Sequence, residues 1–409
     1  MKFREISCNE FEKFSNNSSQ KNFFQTSMMY QRMKENSTEV YLLGVEEDNK
    51  LIAASLIACS GTFFGKKSFE AYKGFLIDYD NDELLNYFTT NIKMFLKNKG
   101  GYKLIIDPYL PSVSRDAEAN IIEGIDNQYL YSKLAKIGYQ YIGETPQVKW
   151  VYCLDLAGKT KEQLLNDMRS STRNYINRTL TKYQLKIRTL KYEELDQFKK
   201  ITEDTCERRS FGDKSLKYYQ LMYQAFKEDV VFKVCELDCD QYLKVLIEEN
   251  DNYQLKLKEL SDSTSNKHKK ENMQKEIDNN LKKIEQTEKL KQEKGSIIVL
   301  SGAMFILYGD EVIYLFSGSY EEYMNFCGQY ALQWDIIQYA LDHKYRRYNF
   351  YGIKDVFDKN GKDYGVYDFK KGFGGYVEEL LGSFEIGFHP LYKIYVLLKK
   401  IKNLVTNKK

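Results

Sequence analysis

The sequence predicts a mixed α/β protein, strictly α+β, built from two similar halves, the second carrying an inserted arm of two antiparallel helices. Three observations point to that class. A β-hairpin, helix, strand order occurs twice along the chain. Residues 240–294 form a charge-dense stretch without Gly or Pro, in which apolar side chains keep a three/four spacing. The chain has 409 residues, 43% hydrophobic and 15% aromatic, enough to bury the cores of two or three domains. The expected division is 1–150 for the first half, 151–239 with 296–390 for the second, 240–295 for the arm and 391–409 for a basic C-terminal helix.

In the first half, residues 40–45 and 51–58 are β-rich runs split by Glu46-Glu47-Asp48-Asn49-Lys50, a hairpin signal. A helical stretch follows at 83–97. After a Gly-Gly break, a strand at 102–106 ends in Asp107-Pro108. In the second half, runs 296–307 and 312–316 are split by Tyr308-Gly309-Asp310-Glu311; a helical stretch at 328–341 and a strand at 347–351 follow, ending in Gly352. Neither half contains G-x-G-x-x-G or a Walker loop, which argues against a Rossmann or P-loop nucleotide domain.

Within the arm, Leu243, Leu246, Tyr253, Leu257 and Leu260 share one helical seam, with Asn250 filling the missing position. Such a seam needs a partner. After a polar break at 261–266, Ile277, Leu281 and Ile284 repeat the spacing, so the two helices are expected to fold back as a coiled coil. A solvated charged linker is the alternative, but a linker has no reason to hold a heptad register.

Seven scattered cysteines without a Cys-x-x-Cys pair point to a reducing cytoplasm rather than to a disulfide framework or a zinc site. The N-terminus has no apolar segment of signal-peptide type, and no run approaches the ~20 apolar residues that cross a bilayer. Membrane contact would therefore be peripheral. From Leu391 to Lys409 there are six lysines and no acidic residue among interspersed apolar side chains. That composition suits an anionic surface, and equally a docked terminal helix with a lysine-rich outer face. Net charge is only +3, so no global basic field marks a nucleic-acid binder. Arg169, Arg173, Arg178, Lys182, Lys186 and Arg188 are nevertheless concentrated in one segment whose first half reads as a helix, and Lys267, His268, Lys269 and Lys270 follow the arm's break. Either cluster can meet phosphates or form a solvated face.

Five motifs carry a resemblance to a known family: Phe24-Gln25-Thr26; Ile106-Asp107-Pro108-Tyr109-Leu110-Pro111; Gln333-Trp334; Tyr348-Asn349-Phe350-Tyr351-Gly352; and Phe369-Lys370-Lys371-Gly372-Phe373. In order and spacing, and with an arm in the second of two GNAT-like acyltransferase domains, the chain resembles the Fem family of peptidoglycan bridge-forming aminoacyltransferases from about Met1 to beyond Tyr395. The resemblance implies transfer of Gly, Ala or Ser from aminoacyl-tRNA to the stem peptide or growing bridge of a lipid-linked peptidoglycan precursor. It implies no cofactor, because the donor ester is already activated. It is compatible with a homodimer or with pairing to a paralogue.

Acyl transfer wants a group that handles the amine's proton and a cation for the developing oxyanion. The resemblance gives Lys370 as the cation, with Phe369 packing beside it, and associates Asp107 with binding the acceptor peptide and with a share in handling the amine's proton. Glycines around Lys370 are expected to let the backbone approach a ligand, and Lys371 is the alternative inward-facing residue. Asp107, at a strand end in a proline-fixed loop, is expected at a cleft edge, or else bonded to its own turn. The resemblance further places Tyr102 and Tyr314 in the acceptor cleft and Lys34, Lys214 and Tyr218 on the precursor's diphosphate, with Arg208 or Arg209 as substitutes for Lys214; core packing is the alternative for each tyrosine. Lys267, Lys269 and Lys270 are candidates for tRNA. His268, His343 and His389 offer little material for a nucleophilic triad, and no metal site is indicated. Two rivals remain: an acyl-CoA-dependent acetyltransferase, whose Gly-rich pyrophosphate loop is missing, and a non-enzymatic RNA-binding or scaffold protein using the arm and the basic helix.

Overall fold

A computed structural model describes residues 1–144, 147–209, 212–261 and 266–406. Among these residues, the first sheet has seven strands in the order Lys2–Glu5, Val40–Glu47, Lys50–Phe63, Lys66–Ala71, Gly101–Ile106, Ser383–Gly387 and Gln140–Gly143. The second has nine: Lys186–Thr189, Val230–Asp238, Ile297–Tyr308, Glu311–Ser319, Arg347–Gly352, Trp150–Asp155, Tyr376–Leu380, Pro111–Arg115 and Ile121–Asp126. The sheets cross the linear division at residue 150. Ser383–Gly387 pairs with Gly101–Ile106, while Pro111–Arg115 pairs with Tyr376–Leu380.

Each half contains one parallel pair joined by a helix. Lys66–Ala71 lies parallel to Gly101–Ile106 across the Asp82–Asn98 helix, and Glu311–Ser319 lies parallel to Arg347–Gly352 across the Gly328–Asp342 helix. A crossover helix is what a parallel pair requires. The Asn81 side chain caps the first of these helices by accepting from the Leu84 N–H, and Leu84, Leu85, Phe88, Ile92 and Leu96 bury its apolar stripe. The predicted helices and strands at 83–97, 102–106, 328–341 and 347–351 all form. The correspondence between halves differs by one strand from the expected one. Judged by the parallel pair, Ile297–Tyr308 and Glu311–Ser319 match Lys50–Phe63 and Lys66–Ala71, and Val230–Asp238 matches Val40–Glu47.

The arm therefore occupies the place of a two-residue turn. Asp48 and Asn49, both with positive φ, connect Val40–Glu47 to Lys50–Phe63 in the first half. In the second half the Cys239–Glu259 and Lys267–Lys294 helices stand at that point, clamped at the base by Cys239 N–H donating to the Ser296 carbonyl. The pair runs antiparallel, with Asp240 at the start of one helix bonded to Lys291 near the end of the other. Tyr242, Leu246 and Asn250 are buried on the first helix and Ile277, Asn280 and Thr287 on the second. Leu281, expected on the seam, is half exposed; Asn280 beside it points inward instead, because the seam steps by three residues there. Residues 262–265 of the polar break lie outside the described residues.

Among the described residues, three apolar cores form. One lies between the first sheet and the Asp82–Asn98 helix, and another belongs to the second sheet. The third joins the halves: Phe11, Phe23, Leu42 and Leu56 pack in one cluster with Phe198, Phe232, Met304 and Ile313.

Candidate active site

In the second half the parallel pairing ends at Ile313 opposite Asn349, beyond which the strands part. Strand divergence of this kind opens a crevice at the carboxyl ends of the strands. Tyr314 and the Tyr351-Gly352 segment flank the opening. Lys370, in the last turn of the Tyr364–Lys371 helix, enters it from behind. Its Nζ donates to the Gly352 carbonyl at 2.6 Å and stands 5.8 Å from the centre of the Tyr314 ring. These groups line a cavity of about 520 Å³, together with Phe369, Arg208, Arg209, Ser301 and Gln329. The Tyr314 hydroxyl donates to Gln329 Oε1 and accepts from Ser317 Oγ–H, and Phe369 packs on Tyr330 at 5.0 Å.

Lys370 is the inward lysine of its pair. Lys371 ion-pairs with Glu118 at 2.7 Å on the outside. Burial lowers the Lys370 ammonium to about 7, since only one carbonyl and a ring face replace its water. The neighbouring glycines serve packing within the chain, contrary to their expected approach to a ligand. A Cβ at Gly372 would strike Thr172, and one at Gly375, whose φ is +136°, would strike the Cys153 carbonyl.

The equivalent point of the first half is closed. Ala71 lies opposite Ile106, so the next residues of the two strands meet just past the pairing. Asp107 Oδ1 accepts from the Lys73 N–H at 2.7 Å, and Lys73 Nζ lies 2.9 Å from Oδ2. Both side chains are buried, and Nζ also donates to the Val148 carbonyl. Asp107 is thus neither at an open cleft edge nor bonded to its own turn, because a lysine 34 positions upstream covers it. Burial pushes its carboxyl up, against the pull of Lys73. On the adjacent strand Glu70 is buried with Oε1 unpartnered, and its carboxyl is raised to about 8 by burial first and by the Asp107 charge second. Burial, and next the Asp107 charge, also raises the Tyr351 hydroxyl, so Tyr351 stands between this cluster and the Lys370 cavity that it lines.

Tyr102 is not brought to this point. It is the second residue of the strand that Asp107 follows, about 16 Å away at ~3.3 Å per residue, and packs against Phe63 and Tyr395 at 5.8 and 5.7 Å. The core alternative holds for it. Tyr218 sits where the Ser27–Glu35 and Leu216–Phe226 helices meet, with the Arg32 guanidinium 4.6 Å and Lys214 Nζ 5.5 Å from its ring centre. Lys34, on the same helix as Arg32, is exposed and lies over Tyr30 instead. Arg208 and Arg209, the expected substitutes for Lys214, line the Lys370 cavity and not this cationic patch.

Sequence reasoning missed Lys73, Glu70 and Arg32. A glutamate inside the apolar run Ser68-Phe69-Glu70-Ala71 was the available signal for Glu70, since charged residues are seldom buried without a task. Nothing local marks Lys73 as the partner of Asp107. The basic segment 169–188 is engaged internally: Arg169 with Asp368, Arg173 with the carbonyls that end the Lys161–Asp167 helix, Arg178 with Tyr183, Lys182 with Glu249, Lys186 with Asp238 and Arg188 with Glu236. Each of these six cations therefore has a partner within the chain. Lys267 and Lys269 are exposed and Lys270 is half-buried at the start of the second arm helix.

Two α/β halves, each with a helix-crossed parallel pair and with a buried lysine in the open crevice of the second, define a tandem GNAT-like fold. The tandem GNAT protein from the clavulanic acid biosynthesis pathway shares that fold, with a TM-score of 0.50 and 7% identity over 95% of this chain and 99% of its own. The crystal structure of FemX fits more closely, with a TM-score of 0.73 and 23% identity over 96% of this chain and 99% of its own. The FemAB family profile matches residues 6–400. Aminoacyltransferase FemA of Staphylococcus epidermidis is 32% identical over 98% of this chain and 100% of its own, and FemA of Staphylococcus aureus is 32% identical over 99% and 100%. The chain belongs to the FemAB family and is an aminoacyltransferase.

Proposed function

We propose that the protein transfers an amino acid, Gly, Ala or Ser, from aminoacyl-tRNA to the stem peptide or growing bridge of a lipid-linked peptidoglycan precursor. The observation that carries this reading is the buried Lys370, held by the Gly352 carbonyl over the Tyr314 ring in an open cavity. The aminoacyl ester enters that cavity. The acceptor amine attacks the ester carbon and forms the new C–N bond, the acyl C–O bond to the ribose oxygen breaks, and the proton lost by the amine passes to that oxygen as the tRNA hydroxyl leaves. Lys370 in its ammonium form faces the oxygen on which negative charge develops, and low local polarity strengthens the contact. Phe369 and Tyr314 exclude water and fix the lysine's direction. Arg208 and Arg209 give the cavity positive charge for the phosphates of the tRNA end. Rate is gained mainly by holding amine and ester together.

Asp107 acts through Lys73, as a positioning residue for the strand ends, rather than by meeting the amine. Arg32 and Lys214 around Tyr218 take the precursor's diphosphate. The arm's role is a tRNA contact at Lys267 and Lys269. Cations at the N-terminal end of a helix oppose its dipole, so the tip gains from a polyanion. Such an enzyme works in the cytoplasm against the membrane that carries its acceptor, alone, as a homodimer or with a paralogue.

Transfer of radiolabelled Gly, Ala and Ser from charged tRNA to precursors with and without a first bridge residue tests the proposal. Product formed by the wild type and lost in Lys370→Ala is expected. Folded protein that yields no product with any donor or acceptor ends it. Unchanged tRNA affinity after arm deletion ends the tRNA role of the arm.

A further inference from the structure

Over residues 391–402 the Leu391–Thr406 helix has one apolar face against the protein and another exposed. Tyr392, Tyr395, Val396 and Lys399 are at least partly covered. Ile394, Leu397, Leu398 and Ile401, at i, i+3, i+4 and i+7, are all exposed and lie together on another face, with Lys393 and Lys400 along one side. A terminal helix docked only for packing would carry lysines there, not four large apolar side chains.

A second element, far away in sequence, ends at the same place. The Lys50–Phe63 and Lys66–Ala71 strands turn through Phe64-Gly65, both with positive φ. Phe64 tips the hairpin and is 75% exposed. The hairpin is tied to the helix through Phe63, whose ring lies 5.7 Å from Tyr395 and 4.7 Å from Phe64. Lys66 and Lys67 follow immediately. Two elements thus present exposed apolar tips bordered by lysines; Lys67 is paired with Glu39 at 2.7 Å, while the sequence from Leu391 onward contains no acidic residue.

We propose that the Phe64 hairpin tip and the Ile394/Leu397/Leu398/Ile401 face of the C-terminal helix form one surface that docks on an anionic lipid bilayer. The apolar side chains enter the boundary between headgroups and acyl chains while the lysines meet lipid phosphates, the arrangement of an interfacial helix lying in the plane of the membrane. Among the described residues, no helix is long and apolar enough to cross a bilayer. The proposal rests on the proposed function only in that a lipid-linked acceptor gives the surface a use.

Co-sedimentation of the full chain with phosphatidylglycerol/phosphatidylcholine vesicles that contain no precursor tests the surface apart from the reaction. Expected is binding that needs phosphatidylglycerol, weakens in high salt, and falls by roughly tenfold or more in each of Phe64→Glu and Leu397→Glu. Both positions are exposed, so both variants should fold and keep transfer to a soluble, lipid-free acceptor. No vesicle binding by the wild type, or equal binding by both variants, overturns the proposal. So does a dimer in sedimentation velocity that Leu397→Glu dissociates, which would make a second copy the occupant. Loss of transfer in Lys370→Ala leaves this test untouched, and loss of vesicle binding leaves the reaction untouched.

Discussion

Lys73 holds Asp107 twice, by its backbone N–H at 2.7 Å and by its ammonium at 2.9 Å, with both side chains out of solvent. Removing one member of such a pair strands the other charge. Lys73→Met is expected to lower stability by about 3–5 kcal/mol, read from urea unfolding. Lys73→Met with Asp107→Leu should recover most of that loss. If the double variant is no more stable than Lys73→Met, the ion pair is not what the site depends on.

Glu70 makes stability depend on pH. Its carboxyl titrates near 8 in the folded chain, against about 4.5 when exposed. Between those values the folded state holds a proton that the unfolded state has released, so stability falls as pH rises through the window. Glu70→Gln should remove a slope of up to about 1.4 kcal/mol per pH unit. Parallel stability curves for the two proteins from pH 5 to 8 would contradict this.

At the reacting centre, Lys370→Ala should cost about 10²–10³-fold in kcat, the cost of losing one oxyanion donor. With the ammonium lowered to about 7, wild-type single-turnover rates should decline as pH rises through that value. The residual rate of the variant should not show that limb. A limb near pH 7 that persists in Lys370→Ala would assign it to another group.

The cationic patch makes a distinction between neighbours. Arg32→Ala and Lys214→Ala should each raise KM for a diphosphate-linked acceptor several-fold, from loss of about 1–2 kcal/mol of charge-assisted bonding. Lys34→Ala should do little, because Lys34 lies over Tyr30 and away from Tyr218. Steady-state kinetics at fixed tRNA concentration separates them.

Along the arm, Asn250 and Asn280 are buried with amide atoms that find no partner. Replacing both with Leu should raise the stability of the arm by about 1–3 kcal/mol, seen in hydrogen exchange of the two helices. Unchanged protection would mean that the amides are satisfied in solution.

Much of this was legible locally. The Asp48-Asn49 hairpin, the crossover helices and the strands ending in Asp107 and Gly352 follow from turn residues and apolar periodicity, which act over a few positions. The Phe369-Lys370 pair was legible as a motif, though not which lysine turns inward; that depends on Glu118 waiting outside for Lys371. Tyr102 was placed by the resemblance alone, and its packing against Tyr395 depends on a residue far along the chain. Lys73, Arg32 and the strand exchange between the sheets depend on pairings tens to hundreds of positions apart, which no window of sequence contains.

That exchange limits how the protein can move. Ser383–Gly387, which follows the Lys370 helix, is hydrogen-bonded to the strand that ends just before Asp107, and Pro111–Arg115, just past Asp107, is bonded to Tyr376–Leu380 in the second sheet. The halves are stitched by backbone in both directions and share an apolar core. Opening and closing by a hinge between them would break sheet. Donor and acceptor must therefore be brought to a fixed frame, and whatever moves during turnover is side chain, loop or arm.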